Sequence, residues 1–264
     1  MRCHINGVGL WGPGLNGWES SRGVLSGDEP YRPADMPLPA PPLLPPTERR
    51  RSSAATRVAL CVGQEAIARA GVDAATLPSV FATAVADADT IHAICESIAR
   101  AERDVSPTRF HNSVFNAAAG YWSIGTGSRQ ASTTVCAYDG TFAAGLLESM
   151  AQLHAGTRHV LLIAYDIPCP YPLSEVRPFA FAFGISLLLS SEPLPHCLGR
   201  ISVGLVEGAT PASCTEPALE ALRLGNPIAR SLPLLVALAR HASKEVVIDY
   251  ISGNDLRAVF EPWH

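Results

Sequence analysis

Charge is scarce in this sequence, and neither sign dominates. Of the 264 residues only 17% are charged and 47% are hydrophobic, and the formal net charge is −4. A nucleic-acid-binding domain usually carries a strongly basic face, so this balance argues against a nucleic-acid partner. The low charge and the high apolar content also exclude intrinsic disorder and predict a chain that buries a sizeable core.

Long apolar runs are missing as well. No stretch reaches the roughly 20 residues that a membrane-spanning helix requires. The opening MRCHINGVGLWGPG lacks the apolar segment of a signal peptide. We therefore expect a cytoplasmic protein with no membrane partner.

Cysteine motifs that would indicate a disulfide framework or a structural zinc site are absent. The seven cysteines are irregularly spaced, and no CxxC pair occurs. We interpret them as free, mostly buried thiols in a reducing compartment. His92 and Cys95 lie three residues apart on a predicted helix, but two ligands without a third do not predict a metal site.

Several signatures of catalysis and cofactor binding are also missing. The sequence has no GxxxxGK[ST] phosphate loop, no plausible nucleotide-binding GxGxxG after a strand, no GxSxG elbow and no HExxH. These absences argue against a P-loop enzyme, a dinucleotide-binding domain, an ordinary α/β-hydrolase and a zinc protease. We expect no cofactor.

What the sequence does contain is an alternation of strand and helix patterns, which predicts an α/β fold with a mixed sheet covered by helices on both faces. A segment with eight prolines, 30–46, predicts an extended surface arm. The patterns predict strands at 3–10, 79–85, 131–137, 159–166, 181–190, 201–208, 245–252 and 255–262, and helices at 47–71, 88–102, the later part of 106–127, 140–156 and 227–242. The last two strands are predicted to form a hairpin that turns at Gly253–Asn254.

Three groups of segments occur in order and with preserved spacing: INGVGLWGPG; VSP at 105–107, NAAAG at 116–120 and STTVCAYDG; and GTRHVLLIAYD, RPF at 177–179 and FAFGISLLLS. Together they resemble the opening strand, the Asn-x-x-Ala-Gly helix, the nucleophile strand and the Arg-Pro-Phe loop of the thiolase-like β-ketoacyl synthases. The resemblance covers roughly residues 3–190. It implies one thiolase-like domain over 1–264, with an intact N-terminal half at 1–190 and an abbreviated, truncated C-terminal part at 191–264.

The register of this resemblance identifies the position of the catalytic nucleophile. Counting forward from Asn116 and backward from Gly156 places Asp139 where an active synthase has its nucleophilic cysteine. A carboxylate there cannot form the acyl thioester that carries the growing chain. Cys136 lies three residues upstream, and we interpret it as a structural thiol. The resemblance therefore implies that the chain has no catalytic residue of its own.

The histidines of an active synthase are also absent. The family uses two histidines in HGTGT-like and GHTxGAAG-like motifs, and neither motif occurs here. His196, His241 and His264 have no matching context, and we expect them at the surface. A synthase relative without nucleophile or histidines resembles the chain-length-factor class, and the short form resembles subunits of bacterial aryl-polyene pathways. That likeness implies a heterodimer with an active ketosynthase, and an acyl carrier protein as an indirect partner.

In this family the nucleophile strand pairs with the same strand of the other subunit, and the acyl tunnel runs along the boundary. The resemblance therefore implies an interface at Asn112, Asn116, Gly120, Ser132, Thr133, Thr134, Val135 and Cys136. It also implies tunnel walls at Ala84, Ala86, Phe110, Val114 and Phe115. Phe110 and Phe115 have a plainer interpretation as ordinary core residues, and the sequence leaves both open.

Two other functions stay open at this stage. One is a cysteine- or aspartate-dependent acyltransferase or thioesterase that uses Cys136 or Asp139 together with His111. The other is a degenerate homodimeric scaffold, since a symmetric pair of chains would also cover the predicted interface strand.

Overall fold

The computed structural model describes residues 1–251 and 253–263. The strands are β1 (Arg2–Gly12), β2 (Leu15–Asn16), β3 (Ser79–Ala82), β4 (Ser132–Val135), β5 (His159–Asp166), β6 (Phe183–Ser190), β7 (Gly199–Glu207), β8 (Lys244–Ile251) and β9 (Asn254–Pro262). The helices are α1 (Trp18–Ser26), α2 (Pro46–Arg51), α3 (Ala54–Ala68), α4 (Ala88–Ala99), α5 (Pro107–Asn112), α6 (Ala117–Thr126), α7 (Thr141–His154), α8 (Pro217–Gly225) and α9 (Leu232–Ala239).

The strands form one mixed sheet, which confirms the predicted fold class. Its order is β4-β3-β5-β6-β1-β7-β9-β8, and β2 pairs with β1. The β4–β3 and β3–β5 pairs are parallel, whereas β5–β6, β6–β1, β1–β7, β7–β9 and β9–β8 are antiparallel. β4 therefore lies at one edge of the sheet and β8 at the other.

The final segment of the chain extends the same sheet. Arg2–Ile5 of β1 pairs with β7, and the span from His4 to Trp11 pairs with β6 on the other side. The β8–β9 hairpin then continues from β7, as its alternating pattern and its turn at Gly253–Asn254 predicted. Ser252 of that predicted hairpin lies outside the described residues.

Helix α7 contacts strands from both ends of the sheet. It contacts β3 and β5 on one side and β8 on the other, so the two ends of the sheet fold over it. Gly145 permits the close approach to β3, because a Cβ there would lie 2.7 Å from the Cβ of Ala82. The opposite face of the sheet is covered by α3, which packs on β1, β5 and β6 and also contacts α6.

Several element boundaries differ from the sequence predictions. The helix predicted at 47–71 is two helices, because Ser53 caps α3 by accepting a hydrogen bond from the N–H of Thr56. Helix α5 replaces part of a predicted loop, and α8 was not predicted. The proline-rich arm does run as irregular backbone before α2, but Leu44 within it is buried, so the arm also contributes to the core.

The cysteines are free, as predicted, but they are not uniformly buried. Cys3 and Cys169 are buried, whereas Cys95 and Cys136 are exposed. Among residues 1–251 and 253–263 no helix combines the length and the apolar character needed to cross a membrane.

Candidate functional site

Asp139 lies in a tight turn that leads from strand β4 into helix α7. A short 3-10 turn, Tyr138–Gly140, joins the two elements. The hydroxyl of Thr141 accepts a 3.1 Å hydrogen bond from the N–H of Ala137 and donates a 2.7 Å bond to the carbonyl of Tyr138. Tyr138 has a φ of 54°, in the left-handed region that non-glycine residues seldom adopt. The two hydrogen bonds of Thr141 and the left-handed backbone of Tyr138 therefore fix the shape of the turn.

Two arginines bind the carboxylate of Asp139. Nη1 of Arg177 donates to Oδ1 at 2.9 Å, and Nη2 of Arg230 donates to Oδ2 at 3.3 Å. Each oxygen thus has its own guanidinium. The Asp139 side chain is 39% exposed, while those of Arg177 and Arg230 are 11% and 19% exposed. The carboxylate is committed to ion pairing at the position predicted for a nucleophile.

The guanidinium of Arg177 is also held by aromatic rings. Its Cζ lies 3.5 Å from the centroid of the Tyr138 ring and 4.7 Å from that of Phe179. Such cation–π contacts stabilise a cation when it is partly removed from water. Tyr138 itself is 60% exposed, so its ring covers Arg177 on one face and meets solvent on the other.

The predicted interface strand, β4, lies at an edge of the sheet. Ser132 is exposed, and Thr133, Thr134 and Val135 are half-buried. Cys136 follows the strand, and its thiol donates to the carbonyl of Ala84 at 3.4 Å. The structure therefore brings the end of the predicted interface strand against the first predicted tunnel residue. The thiol is exposed, which differs from the mostly buried cysteines that the sequence predicted.

The predicted interface residues on α5 and α6 divide into two groups. Asn116 and Gly120 are exposed, and a Cβ on Gly120 would meet nothing within 4 Å. Asn112 is different, because it is only 5% exposed. Its amide donates to the carbonyl of Arg51 at 2.8 Å and accepts from the hydroxyl of Tyr121 at 3.0 Å. Asn112 therefore joins α5 to α2 and α6 inside the chain, which corrects its expected placement on the surface.

The predicted tunnel residues near α5 are not core residues of this chain. Phe110 is 69% exposed, Val114 51% and Phe115 40%. The interpretation of the two phenylalanines as ordinary core is therefore wrong. Large exposed apolar side chains in one segment are typical of a surface that another molecule covers.

The other predicted tunnel segment is a turn fixed by a buried carboxylate. Asp166, at the end of β5, accepts hydrogen bonds from the hydroxyl of Thr83 and the N–H of Ala84. Thr83 in turn accepts from the N–H of Ala86, which has a φ of 54°. Burial raises the pKa of Asp166 to about 7, while these hydrogen bonds and the charge of Arg177 lower it.

An apolar groove opens beside this turn, between α4 and the loop that follows β5. Its volume is about 440 Å³. It is lined by Val85, Ala88, Ile91, His92, Cys95, Pro172, Leu173 and Val176. His92 lies 3.5 Å from Glu96 through Nε2 and Oε1. No group of three metal-ligating side chains occurs in the part of the chain that the structure describes.

His111 does not join the groups that the alternative catalytic function required. Its ring packs edge-on against Tyr121, with centroids 5.8 Å apart. Cys136 contacts Ala84, and Asp139 binds the two arginines. The other candidate histidines, His196 and His241, are exposed. His264 lies outside the described residues.

Sequence reasoning missed the residues that continue from Arg230. Its Nη1 lies 2.6 Å from Oδ1 of Asp249. Arg223 lies 3.4 Å from the other oxygen of Asp249 and 2.7 Å from Glu220. Nothing in the sequence links these residues to Asp139. Arg230 lies 91 residues from it along the chain, and they share no motif with it. The missed buried Asp166 had one signal, its position at the end of an apolar strand.

Comparisons with known proteins bear on the family and the fold. A family model described as the β-ketoacyl synthase N-terminal domain matches residues 26–219. A chain of the ketosynthase ApeO in complex with its chain length factor ApeC, from Xenorhabdus doucetiae, has a TM-score of 0.75 at 22% identity, covering 98% of this chain and 99% of that one. A chain of the ishigamide ketosynthase/chain length factor has a TM-score of 0.76 at 15% identity, with 100% of both chains covered.

A β-ketoacyl synthase from Burkholderia phymatum has a TM-score of 0.72 at 11% identity, again with 100% of both chains covered. These identities establish likeness of fold. No curated protein sequence matches the chain.

Proposed function

The chain belongs to the β-ketoacyl synthase family, and we propose that it is a non-catalytic, chain-length-factor-like subunit. It pairs with an active ketosynthase and helps to bound the tunnel that holds the growing acyl chain. Two of its structural neighbours are chains of ketosynthase/chain-length-factor assemblies, which supports a ketosynthase as the partner.

The observation that carries this proposal is the state of Asp139. An active condensing subunit needs a nucleophile that accepts the acyl group as a thioester. Asp139 stands at that position by sequence register, between β4 and α7, and both of its oxygens are bound by arginines. Such a carboxylate is neither a thiol nor free to attack an acyl group. The missing histidine motifs support the same conclusion, because an active synthase uses those histidines as oxyanion donors and for decarboxylation.

Pairing with another subunit is supported by the surface around β4. An unpaired edge strand exposes main-chain donors and acceptors, which proteins normally cover. Large apolar side chains are exposed on α5, α6 and the segments that follow α5 and β4: Phe110, Val114, Phe115, Ile124 and Tyr138. We infer that β4 and helix α6 contact the ketosynthase through Asn116, Gly120 and Ser132 to Cys136. Asn112 supports this surface from inside the chain.

The tunnel role is inferred from the same region. Cys136 at the end of the interface strand contacts Ala84, so the proposed interface and the turn with Ala84 and Ala86 are continuous. Phe110, Val114 and Phe115 are exposed on and just after α5, which packs against α4, and we infer that they supply apolar wall. An acyl carrier protein delivers substrate to the assembly and contacts this subunit only indirectly.

We also infer that residues 1–264 form one abbreviated thiolase-like domain, since β1 pairs with both β6 and β7. For the pathway, the resemblance to short subunits of bacterial aryl-polyene clusters favours polyene biosynthesis. The rival assignment as an acyltransferase or thioesterase has less support, because His111 packs on Tyr121 and not beside Cys136 or Asp139. A homodimeric scaffold is the remaining alternative.

One experiment distinguishes these functions. The chain is expressed alone and with the ketosynthase encoded beside it, and each preparation receives an acyl carrier protein loaded with a starter and with malonate. We expect co-purification in a 1:1 complex, condensation only with both subunits, and acyl adducts on the ketosynthase alone by mass spectrometry. An acyl adduct on this chain would support its assignment as an acyltransferase or thioesterase. A stable homodimer that does not bind the ketosynthase would support its assignment as a scaffold.

A further inference from the structure

We propose that Asp139 is the electrostatic anchor that fastens residues 191–264 to the turn between β4 and α7. The carboxylate at this position is then a structural element of this chain in its own right, and more than a lost nucleophile. This anchor acts within the single chain and does not depend on the proposed pairing or tunnel.

The anchor is part of a continuous series of charges with alternating sign. In order of contact the members are Arg177, Asp139, Arg230, Asp249, Arg223 and Glu220. Three cations meet three carboxylates, so the series is neutral as a whole. Within this series, the Asp139–Arg230 pair joins the first 190 residues to the rest of the chain.

Burial makes this crossing important for stability. The side chains of Arg223, Arg177 and Arg230 are 8%, 11% and 19% exposed. A buried cation that loses its carboxylate is left without compensation, which is far more costly than losing an exposed pair. Asp139 serves two of these arginines at once, so its removal leaves Arg177 without its carboxylate and removes one of the two that Arg230 binds.

Packing next to Asp139 shows what the charges hold in place. A Cβ on Gly140 would lie 2.0 Å from the carbonyl oxygen of Tyr250, so the backbone of β8 rests directly on the turn. Asp249, which binds Arg230, is the neighbouring residue of β8. The turn therefore contacts β8 through a close backbone approach and through the charge series together.

The position of Arg177 adds a second consequence. It binds Asp139 while its guanidinium lies 3.5 Å from the ring centroid of Tyr138. Asp139 thus keeps in place the cation on which the exposed Tyr138 ring rests. Loss of the carboxylate should weaken both the packing of β8 against the turn and the contact between Arg177 and the Tyr138 ring.

A double-mutant cycle tests the anchor. Asp139→Asn, Arg230→Gln and the double variant are unfolded in urea as purified full-length chains. We expect Asp139→Asn to raise the unfolding equilibrium constant about 10- to 100-fold, because the pairs are partly buried. The double variant should lose less stability than the sum of the two single variants, since both changes remove the Asp139–Arg230 pair while each also breaks one pair of its own. The control is Glu245→Gln on β8, whose partner Arg257 is 54% exposed, and we expect a change of less than about fivefold there.

Hydrogen exchange locates the effect. In Asp139→Asn, amides of 138–140 and 244–251 should exchange faster, while those of β5 and β6 stay protected. Additive effects of the two single changes, a stability loss no larger than in Glu245→Gln, or exchange that rises uniformly would overturn the anchor. If Asp139→Asn gives no soluble chain, Asp139→Glu decides: native exchange supports a charge anchor, and a second failure overturns it by showing that a carboxylate is not sufficient to hold the turn.

Discussion

The hydroxyl of Thr83, just after β3, donates a 2.7 Å hydrogen bond to the buried carboxylate of Asp166, at the end of β5. The N–H of Ala84 donates to the same carboxylate at 3.0 Å. These bonds join the carboxyl ends of two neighbouring parallel strands and fix the turn before α4. The turn borders the apolar groove and contacts Cys136, so a single buried acid determines the shape of this part of the surface.

Asp166 should make the chain less stable as the pH rises through neutrality. Its ordinary pKa is 3.8, and burial raises it to about 7 in the folded chain. The folded state therefore holds the proton more tightly than the unfolded state between these values. Its stabilising contribution is complete below pH 3.8 and is lost as the pH rises through 7.

The measurement is the urea midpoint of the wild-type chain and of Asp166→Asn between about pH 4 and pH 8, interpreted through the linkage of protonation to stability. The variant should lose this part of the pH dependence. Asp28→Asn, at the surface, is the control and should keep the wild-type slope. Equal slopes in wild type and Asp166→Asn would show that Asp166 does not titrate in this range.

Gly140→Ala should destabilise the chain, whereas Gly120→Ala should not. A Cβ at Gly140 would lie 2.0 Å from the backbone oxygen of Tyr250, while one at Gly120 meets nothing within 4 Å. Overpacking of this kind costs about 1–3 kcal/mol. Alanine in place of an exposed helical glycine gains about 0.5–1 kcal/mol. Thermal unfolding of the two variants checks the difference, and equal melting temperatures would contradict it.

The parts of the fold that sequence predicted well are those with local determinants. β5 occupies the predicted residues 159–166. Both faces of this strand are buried, so its sequence is a nearly unbroken apolar run that is easy to recognise. The β8–β9 hairpin follows from its alternation and its Gly-Asn turn. The break between α2 and α3 was missed because helical periodicity continues through it, and the Ser53 cap alone interrupts the helix.

The candidate site was predicted only in part, for a related reason. Asp139 was found by register, since spacing from Asn116 and Gly156 is a property of the sequence. Its partners Arg177 and Arg230 lie 38 and 91 residues away, and contacts over such distances depend on how the sheet folds over α7. The exposure of Phe110 could not be predicted either, because an aromatic side chain in the sequence gives no sign of whether its own chain or a partner covers it.

Asp139→Cys should not create condensing activity in the isolated chain. A thiol at this position would lack the oxyanion donors and the decarboxylation histidines that active synthases supply, and such groups contribute several orders of magnitude to rate. The check is release of labelled carbon dioxide from a malonyl-loaded carrier protein by the variant alone. Release above the level of Asp139→Ala would show that the second half supplies the missing groups in another form.

Thr134→Arg should abolish co-purification with the ketosynthase. Thr134 lies in the middle of β4 and is half-buried even in the single chain, so pairing with a partner strand would bury it further. An unpaired charge in such an interface costs several kcal/mol. The matched control is Leu205→Arg on β7, an exposed position far from β4 in the sheet order. Co-purification lost equally in both variants, or retained in both, would contradict an interface at β4.

Replacement of the exposed phenylalanines should change the length of the product made by the reconstituted pair. Ala86 is unsuitable for a bulky replacement, because its φ of 54° would strain a β-substituted aromatic residue whatever its role. Phe110 and Phe115 are 69% and 40% exposed, so their removal should disturb the fold of this chain little. If they close the end of the tunnel, Phe110→Ala or Phe115→Ala opens it, and the longest product should gain one or more extension units.

Ile124→Ala on α6, where the side chain is 52% exposed, is the control for loss of apolar interface area alone. Product distributions by mass spectrometry that stay unchanged in an intact complex would remove the tunnel role and leave these aromatic residues as contacts that hold the two subunits together.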